Sequence, residues 1–182
     1  MKKTALLILV LLLGAPFAFA DDRGGTDDKK IAPNGDSFYL GFGAIADFPG
    51  SNWSSNYNPG YGAQIFGGYQ FDRNWAFQLG TDNVSFEGPA YSLYNLRGLA
   101  SVKYSFSVEG WQPYLLAGAG MTFQWLSAAG GTTNLDALGG LGIQFNLSKD
   151  AHYFIEAKYN FILPSTGSYQ DVPISTGIWV NL

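Results

Sequence analysis

From residue 37 onward, apolar side chains alternate with small or polar ones, and turn signals cut this alternation into eight segments. Segment 38–47 sets Phe38, Leu40, Phe42 and Ala44 against Tyr39, Gly41 and Gly43, and segment 60–71 sets Ala63, Ile65, Tyr69 and Phe71 against Gly62, Gln64, Gly68 and Gln70. Segment 74–83 opposes Trp75, Phe77 and Leu79 to Gln78, Gly80 and Asp82. In 91–106 the apolar set is Tyr94, Leu96, Ala100, Val102, Tyr104 and Phe106, and the polar set is Asn95, Arg97, Ser101, Lys103 and Ser105. Segment 112–125 places Leu115, Ala117, Ala119, Met121 and Phe123 against Gly118, Gly120, Thr122 and Gln124. Segment 134–147 places Leu135, Leu141, Ile143, Phe145 and Leu147 against Asp136, Gly140, Gly142, Gln144 and Asn146. In 152–163, Tyr153, Ile155, Tyr159 and Phe161 oppose His152, Glu156, Lys158 and Asn160, and 172–182 completes the set.

A period of two with no competing helical period predicts an all-β chain, and the even count suits an antiparallel up-and-down sheet closed on itself. Segments of about ten residues or more are long enough to cross a bilayer at a tilt. The expected connections alternate: tight turns at 71–74, 107–111 and 148–151, and longer polar loops at 48–59, 84–90, 126–133 and 164–171. Aromatic residues gather at segment ends. Tyr69, Phe71, Trp75, Tyr104, Phe106, Phe145 and Tyr153 lie near the tight turns, and Phe48, Tyr94, Phe123, Trp125 and Phe161 near the loops. Two such bands are expected where rings meet lipid headgroups. The prediction is an eight-stranded transmembrane β-barrel over 37–182, apolar outside and polar inside. A soluble ligand-binding barrel needs the reverse distribution.

Composition fits this picture. Charged residues make up 13% of the chain, against roughly 25% in ordinary soluble domains, while aromatics reach 16% and glycines number 24. A net charge of −4 with only 10 Lys and Arg supplies no basic patch for nucleic acid. At the amino terminus, Met1-Lys2-Lys3, the apolar run 5–13 and Ala18-Phe19-Ala20 form a secretory signal peptide, with cleavage expected after Ala20. Residues 21–36 carry too few apolar side chains to order themselves and are expected to be a disordered periplasmic leader. With no cysteine, the chain has neither disulfides nor an amino-terminal cysteine to carry a lipid.

The ending, Ser175-Thr176-Gly177-Ile178-Trp179-Val180-Asn181-Leu182, is an amphipathic strand. It resembles the carboxy-terminal assembly signal of bacterial outer-membrane barrels, carried here by Ser175, Gly177, Val180 and Leu182, although Leu182 stands where an aromatic residue is commoner. Together with 112–120 (QPYLLAGAG), 138–145 (LGGLGIQF) and 154–159 (FIEAKY), it resembles the small eight-stranded outer-membrane barrels: the transmembrane domain of outer-membrane protein A and the opacity-type proteins. The resemblance covers 37–182 and implies insertion by the barrel-assembly machinery, contact with outer-membrane lipids and lipopolysaccharide, and a monomer. It implies tight turns and both termini in the periplasm with the longer loops extracellular. No segment matches the peptidoglycan-binding domain of outer-membrane protein A.

Candidate chemistry is sparse. His152 is the single histidine, and His152-Tyr153-Phe154 lacks the serine of the His-x-Ser pair used by lipid A deacylases of this size, so a barrel-rim histidine is expected. One histidine and no cysteine supply no metal centre, and no cofactor is expected. Arg97, Lys103, Asp136, Glu156 and Lys158 fall on the inward face, where unpaired charge is expensive, so a network across the lumen is expected. Arg97–Glu156 is the pair anticipated, with Lys158–Glu156 as its exchange partner in a gate. Trp53, Asn56 and Tyr57, in a loop rich in amides and rings, form a candidate extracellular contact whose ligand the sequence does not name. The expected function is a non-enzymatic, porin-like outer-membrane barrel with a structural or surface-interaction role and a lumen filled by polar side chains. A narrow small-solute pore gated by a lumen salt bridge is the second reading, and a lipid-modifying enzyme the third.

Overall fold

The computed structural model describes residues 37–50, 57–106, 111–126, 130–163 and 169–182. The signal peptide, the leader, Trp53 and Asn56 lie outside the described residues. Eight strands follow one another: β1 (Ser37–Pro49), β2 (Gly60–Gln70), β3 (Trp75–Glu87), β4 (Ser92–Ser105), β5 (Gln112–Leu126), β6 (Gly131–Asn146), β7 (Ala151–Leu163) and β8 (Tyr169–Asn181). Each pairs antiparallel with its neighbour in sequence, and β8 pairs with β1, so the sheet is a closed barrel. The end that holds Ser37, Leu182 and the turns after β2, β4 and β6 is called the lower end here, the other the upper.

The register fixes the girth. A path across paired residues runs Leu40, Gly67, Leu79, Ala100, Ala119, Ala137, Phe161 and Gln170. The Gln170 carbonyl accepts from Gly50 N at 2.8 Å, back on β1 but ten residues above the start. Eight strands with that stagger enclose an interior just wide enough for side chains to fill.

The expected alternation holds around the whole wall. Phe38, Phe42, Leu79, Leu115, Leu135 and Leu141 stand 50–64% exposed on the outside, while Gln64, Asp82, Arg97, Gln112, Thr122, Gln144, Glu156 and Lys158 are buried inside. At the lower end the outer rings touch in a chain: Phe38–Tyr69 at 4.9 Å between centroids, Tyr69–Phe71 at 5.3 Å, Trp75–Tyr104 at 4.8 Å and Tyr104–Phe106 at 5.0 Å. At the upper end Tyr94 stacks on Trp125. Two aromatic bands therefore frame an apolar belt, the distribution of a wall that faces lipid.

The connections depart from expectation. Segment 84–90 is a connection only from Gly88 onward, because β3 continues to Glu87 and pairs with β4 as far as Glu87↔Ser92. The reason is packing: Val84 and Phe86 continue the inward parity of Asp82 and are fully buried against Ile45 and Leu93. Likewise β6 begins at Gly131 and β8 at Tyr169, inside the stretches read as loops. The upper hairpins β3–β4 and β5–β6 thus project beyond Tyr94 as paired strand. The lower turn after β2 is held by Asp72, whose carboxylate accepts from Asn74 N at 2.7 Å and Trp75 N at 2.8 Å. Those two donors hold its carboxyl below the usual aspartate range.

Close approach explains some inward glycines. A Cβ on Gly120 would sit 2.0 Å from the Gly98 carbonyl oxygen, whereas one on the outward Gly139 would meet nothing within 4 Å. Gly120→Ala should therefore lower unfolding free energy in lipid vesicles by about 1–3 kcal/mol through overpacking, and Gly139→Ala should leave it unchanged. Equal effects in urea titrations would contradict the register.

Candidate functional site

Among the described residues the fold gathers charge in the lumen, and the stagger of the strands sorts that charge into levels. At the lower end Lys103 Nζ lies 5.1, 5.1 and 5.2 Å from the ring centroids of Tyr39, Tyr114 and Trp179. It donates to Gln144 Oε1 at 3.3 Å, and Gln144 in turn donates to Gln112. No carboxylate pairs with Lys103 among the described residues. A desolvated ammonium over aromatic faces gains about 2 kcal/mol or more per good contact, so the rings replace a counter-ion. His152 is 1% exposed and stacks on Trp179 with centroids 3.8 Å apart. It is a floor residue inside the barrel, not a rim residue in water.

The middle level is divided. On one side Lys158 Nζ reaches Gln64 Oε1 at 3.0 Å, Asp82 Oδ2 at 3.1 Å and Glu156 Oε1 at 3.4 Å, while Tyr114 donates to Glu156 Oε2 at 3.0 Å. On the other side Leu99, Leu116 and Leu138 form an apolar cluster with Tyr114. Between them lies a cavity of about 10 Å³, room for roughly one water.

At the upper level Arg97 Nη2 binds Asp47 Oδ2 at 2.7 Å and Asp171 Oδ2 at 2.6 Å, all three side chains fully buried. Asn160 donates to Asp171 Oδ1 at 2.9 Å. Asp136 accepts from Thr122 at 2.8 Å, and a chain of amides runs from Asn134 through Gln124 to Asn95. Ile45, Val84, Phe86 and Leu93 form an apolar cluster that starts beside the Arg97 group, with Ile45 two residues below Asp47 on β1, and rises to an apolar lid, with Tyr57, Leu126 and Tyr169 packed against it.

All five charged residues singled out in the sequence face the lumen, but the expected pairing is not formed. Arg97 engages Asp47 and Asp171 instead of Glu156, because Glu156 lies lower in the barrel. Glu156 pairs in register with Gly142, six residues below Asp136 on β6. Lys158 does contact Glu156, although its shorter bond is to Asp82. Asp136 has a hydroxyl partner in place of a cation. Asp47, Asp82 and Asp171 were missed as members of the network. Parity would have found them: Asp47 continues Tyr39, Gly41 and Gly43, and Asp171 continues Ser175 and Gly177. Of the ending, Ser175 is buried, Gly177 abuts the Phe42 carbonyl, and Val180 and Leu182 are 38% and 80% exposed. Tyr57 packs downward on the lid. Among the described residues, no group of three or more His, Asp or Glu side chains is placed to hold a metal ion.

No protein-family model matches the sequence, and a search of curated proteins finds no match. Solved structures do match. Neisserial surface protein A superposes with a TM-score of 0.69 at 16% identity, covering 79% of this chain and 96% of that one. OprG from Pseudomonas aeruginosa gives 0.63 at 12% identity, over 83% of this chain and 98% of that one. Ail, the attachment invasion locus protein of Yersinia pestis, gives 0.57 at 16% identity, over 81% and 99%. The fold is that of the small eight-stranded outer-membrane β-barrels. At these identities the likeness extends to the architecture alone, so the charged levels must be understood from this barrel's own side chains.

Removing one member of a buried ion pair typically costs about 3–5 kcal/mol. Arg97→Met should cost that much in vesicle unfolding titrations, because it leaves Asp47 and Asp171 converged without a cation. Adding Asp47→Asn and Asp171→Asn should recover most of the loss. Glu156→Gln should cost less, since Lys158 keeps Asp82. A larger loss from Glu156→Gln than from Arg97→Met would overturn the assignment of levels.

Proposed function

We propose that this chain is an integral outer-membrane β-barrel whose sealed interior conducts no solute, serving a non-enzymatic structural or surface-interaction role. The observation that carries this is the lumen itself: an aromatic floor around Lys103, a middle salt bridge against leucines and an Arg97 cluster under an apolar lid fill it at successive heights. A conducting path would need these levels to rearrange together. The apolar belt supports membrane insertion, since hydrocarbon leaves no water to hydrogen-bond an open sheet and the β1–β8 pairing removes the edge. We place the lower end and both termini in the periplasm and the projecting upper hairpins outside. A surface protein and an attachment invasion protein among the similar structures support the surface-facing role.

The mature protein should resist carbonate extraction, shift in mobility between unheated and heated gels, and give silent planar bilayers. Solubility without detergent would end the membrane reading. Stable conductance steps would favour the pore.

The ending provides a separate test. Leu182 N donates to Phe38 O at 2.9 Å, so the last residue closes the seam, and its side chain faces outward at the lower rim. Leu182→Asp or Val180→Asp should cost only about 0–1 kcal/mol of folded stability near the interface, yet sharply reduce the amount assembled in cells. Unchanged outer-membrane levels would remove the assembly role of these residues.

A further inference from the structure

Between the two aromatic bands the outer wall carries few polar side chains, and they are handled in two different ways. On β8, Thr176 Oγ1 lies 2.5 Å from the Tyr153 hydroxyl and 3.0 Å from the Phe154 carbonyl, so the barrel satisfies it internally. On β3, every outward residue above Leu79 is polar: Thr81, Asn83, Ser85 and Glu87. Asn83 is exposed, and its amide makes no side-chain hydrogen bond among the described residues.

Register gives the depth of this stripe. Ser85 pairs with Tyr61 on β2 and Tyr94 on β4, two rings of the upper band. Asn83 lies two residues below Ser85, about 5 Å along the barrel axis, between Ala63 and Leu96, and because each strand step climbs the axis, Tyr94 stands well above it and Tyr61 just above it. Thr81 is lower again, between Ile65 and Gly98. A carboxamide at that depth projects into hydrocarbon, which offers neither donor nor acceptor.

We propose that this β3 stripe is the contact face of a second copy of the chain, in a dimer whose two-fold axis runs parallel to the barrel axis. The inference rests on the membrane reading above and departs from the monomer expected on the sequence. In a membrane such an axis brings each residue opposite itself at equal depth. A carboxamide carries both donor and acceptor, and a hydroxyl does too, so Asn83, Thr81 and Ser85 each complement their own copies. Lipid chains cannot do this, and headgroups lie above, toward the level of Tyr94. The flanks permit close approach. Ala63 is exposed beside Asn83, and Gly98 beside Thr81 is an outward glycine whose Cβ would meet nothing within 4 Å. Internal packing therefore does not require glycine at 98, in contrast to Gly62, where a Cβ would lie 1.8 Å from the Asn83 carbonyl. Small residues around a polar pair are the arrangement by which transmembrane helices associate without a hydrophobic driving force, and the same physics applies to two barrel walls in lipid. Glu87 sits above the band, in water, where like charges are screened.

The chain has no cysteine, so Asn83→Cys introduces a unique thiol. Oxidation of outer membranes carrying the full-length variant should give a disulfide-linked dimer, with roughly tenfold more than Leu141→Cys, a 60% exposed position on β6. Asn83→Leu should weaken self-association of the reconstituted, labelled protein by roughly tenfold, as read by energy transfer in vesicles, with Asn83→Gln retaining part of it. Cross-linking no better than Leu141→Cys, or undiminished association of Asn83→Leu, overturns the proposal. So does an Asn83→Cys adduct whose mass is not twice that of the chain, because a different partner would then occupy the face. The heat-dependent gel shift of the same variants separates the two readings. If the shift is lost, the membrane reading has failed; if it is kept without cross-links, the dimer has failed.

Discussion

Everything in this molecule depends on the pairing of β1 with β8. Eleven residue pairs from Tyr39↔Asn181 to Pro49↔Asp171 join the two ends of the described chain and remove the last free sheet edge. In water an open edge is a liability; in hydrocarbon it is prohibitive, because each unpaired backbone group must be satisfied within the protein. Closure with a stagger of ten residues also sets the radius, and the radius decides what the interior can be. A wider barrel would hold water. This one holds side chains, so every inward position becomes a packing problem as well as an electrostatic one.

That problem explains why the charged groups are spread along the axis. Three cations in one layer would repel strongly where the local dielectric is low. Separated by the stagger, each finds its own solution. Arg97 takes two carboxylates, as a planar group with several donors can. Lys158 is a point charge shared among Gln64, Asp82 and Glu156. Lys103, deepest among rings, relies on their faces. The leucine cluster on the β4–β6 side confines most of the polar groups of the middle level to the β2, β3 and β7 walls. A filled lumen of this kind leaves the upper hairpins and the outer wall as the exposed surfaces of the barrel.

The wall was legible in the sequence because parity is local. Which face Arg97, Glu156 or Leu141 takes follows from its immediate neighbours, and a one-residue slip would have exchanged the sets. Height was not legible, because it accumulates across strands. Each step to the next strand climbs the axis by a little more than one residue, so Arg97 on β4 meets Asp47 on β1 and Asp171 on β8, neither of which is near it in sequence. The strand ends were misplaced for a related reason. Serine, glycine and glutamate around Val84, Phe86 and Asp171 look like loop composition, and only the buried partners across the lumen show that these residues continue the strand.

The same reasoning separates residues that serve the fold from residues that do not. Gly120 and Gly62 are demanded by neighbouring backbone, Thr176 is answered by Tyr153, and Asp72 organises its own turn. Each polar or small residue in that set has a cause inside the barrel. Asn83 and Gly98 have none: the amide faces lipid without a partner, and the glycine occupies open space. Hydrocarbon is the least forgiving solvent for such an amide, so the absence of an internal cause on this wall directs attention outward, to something beyond the chain that meets β3 from the membrane side.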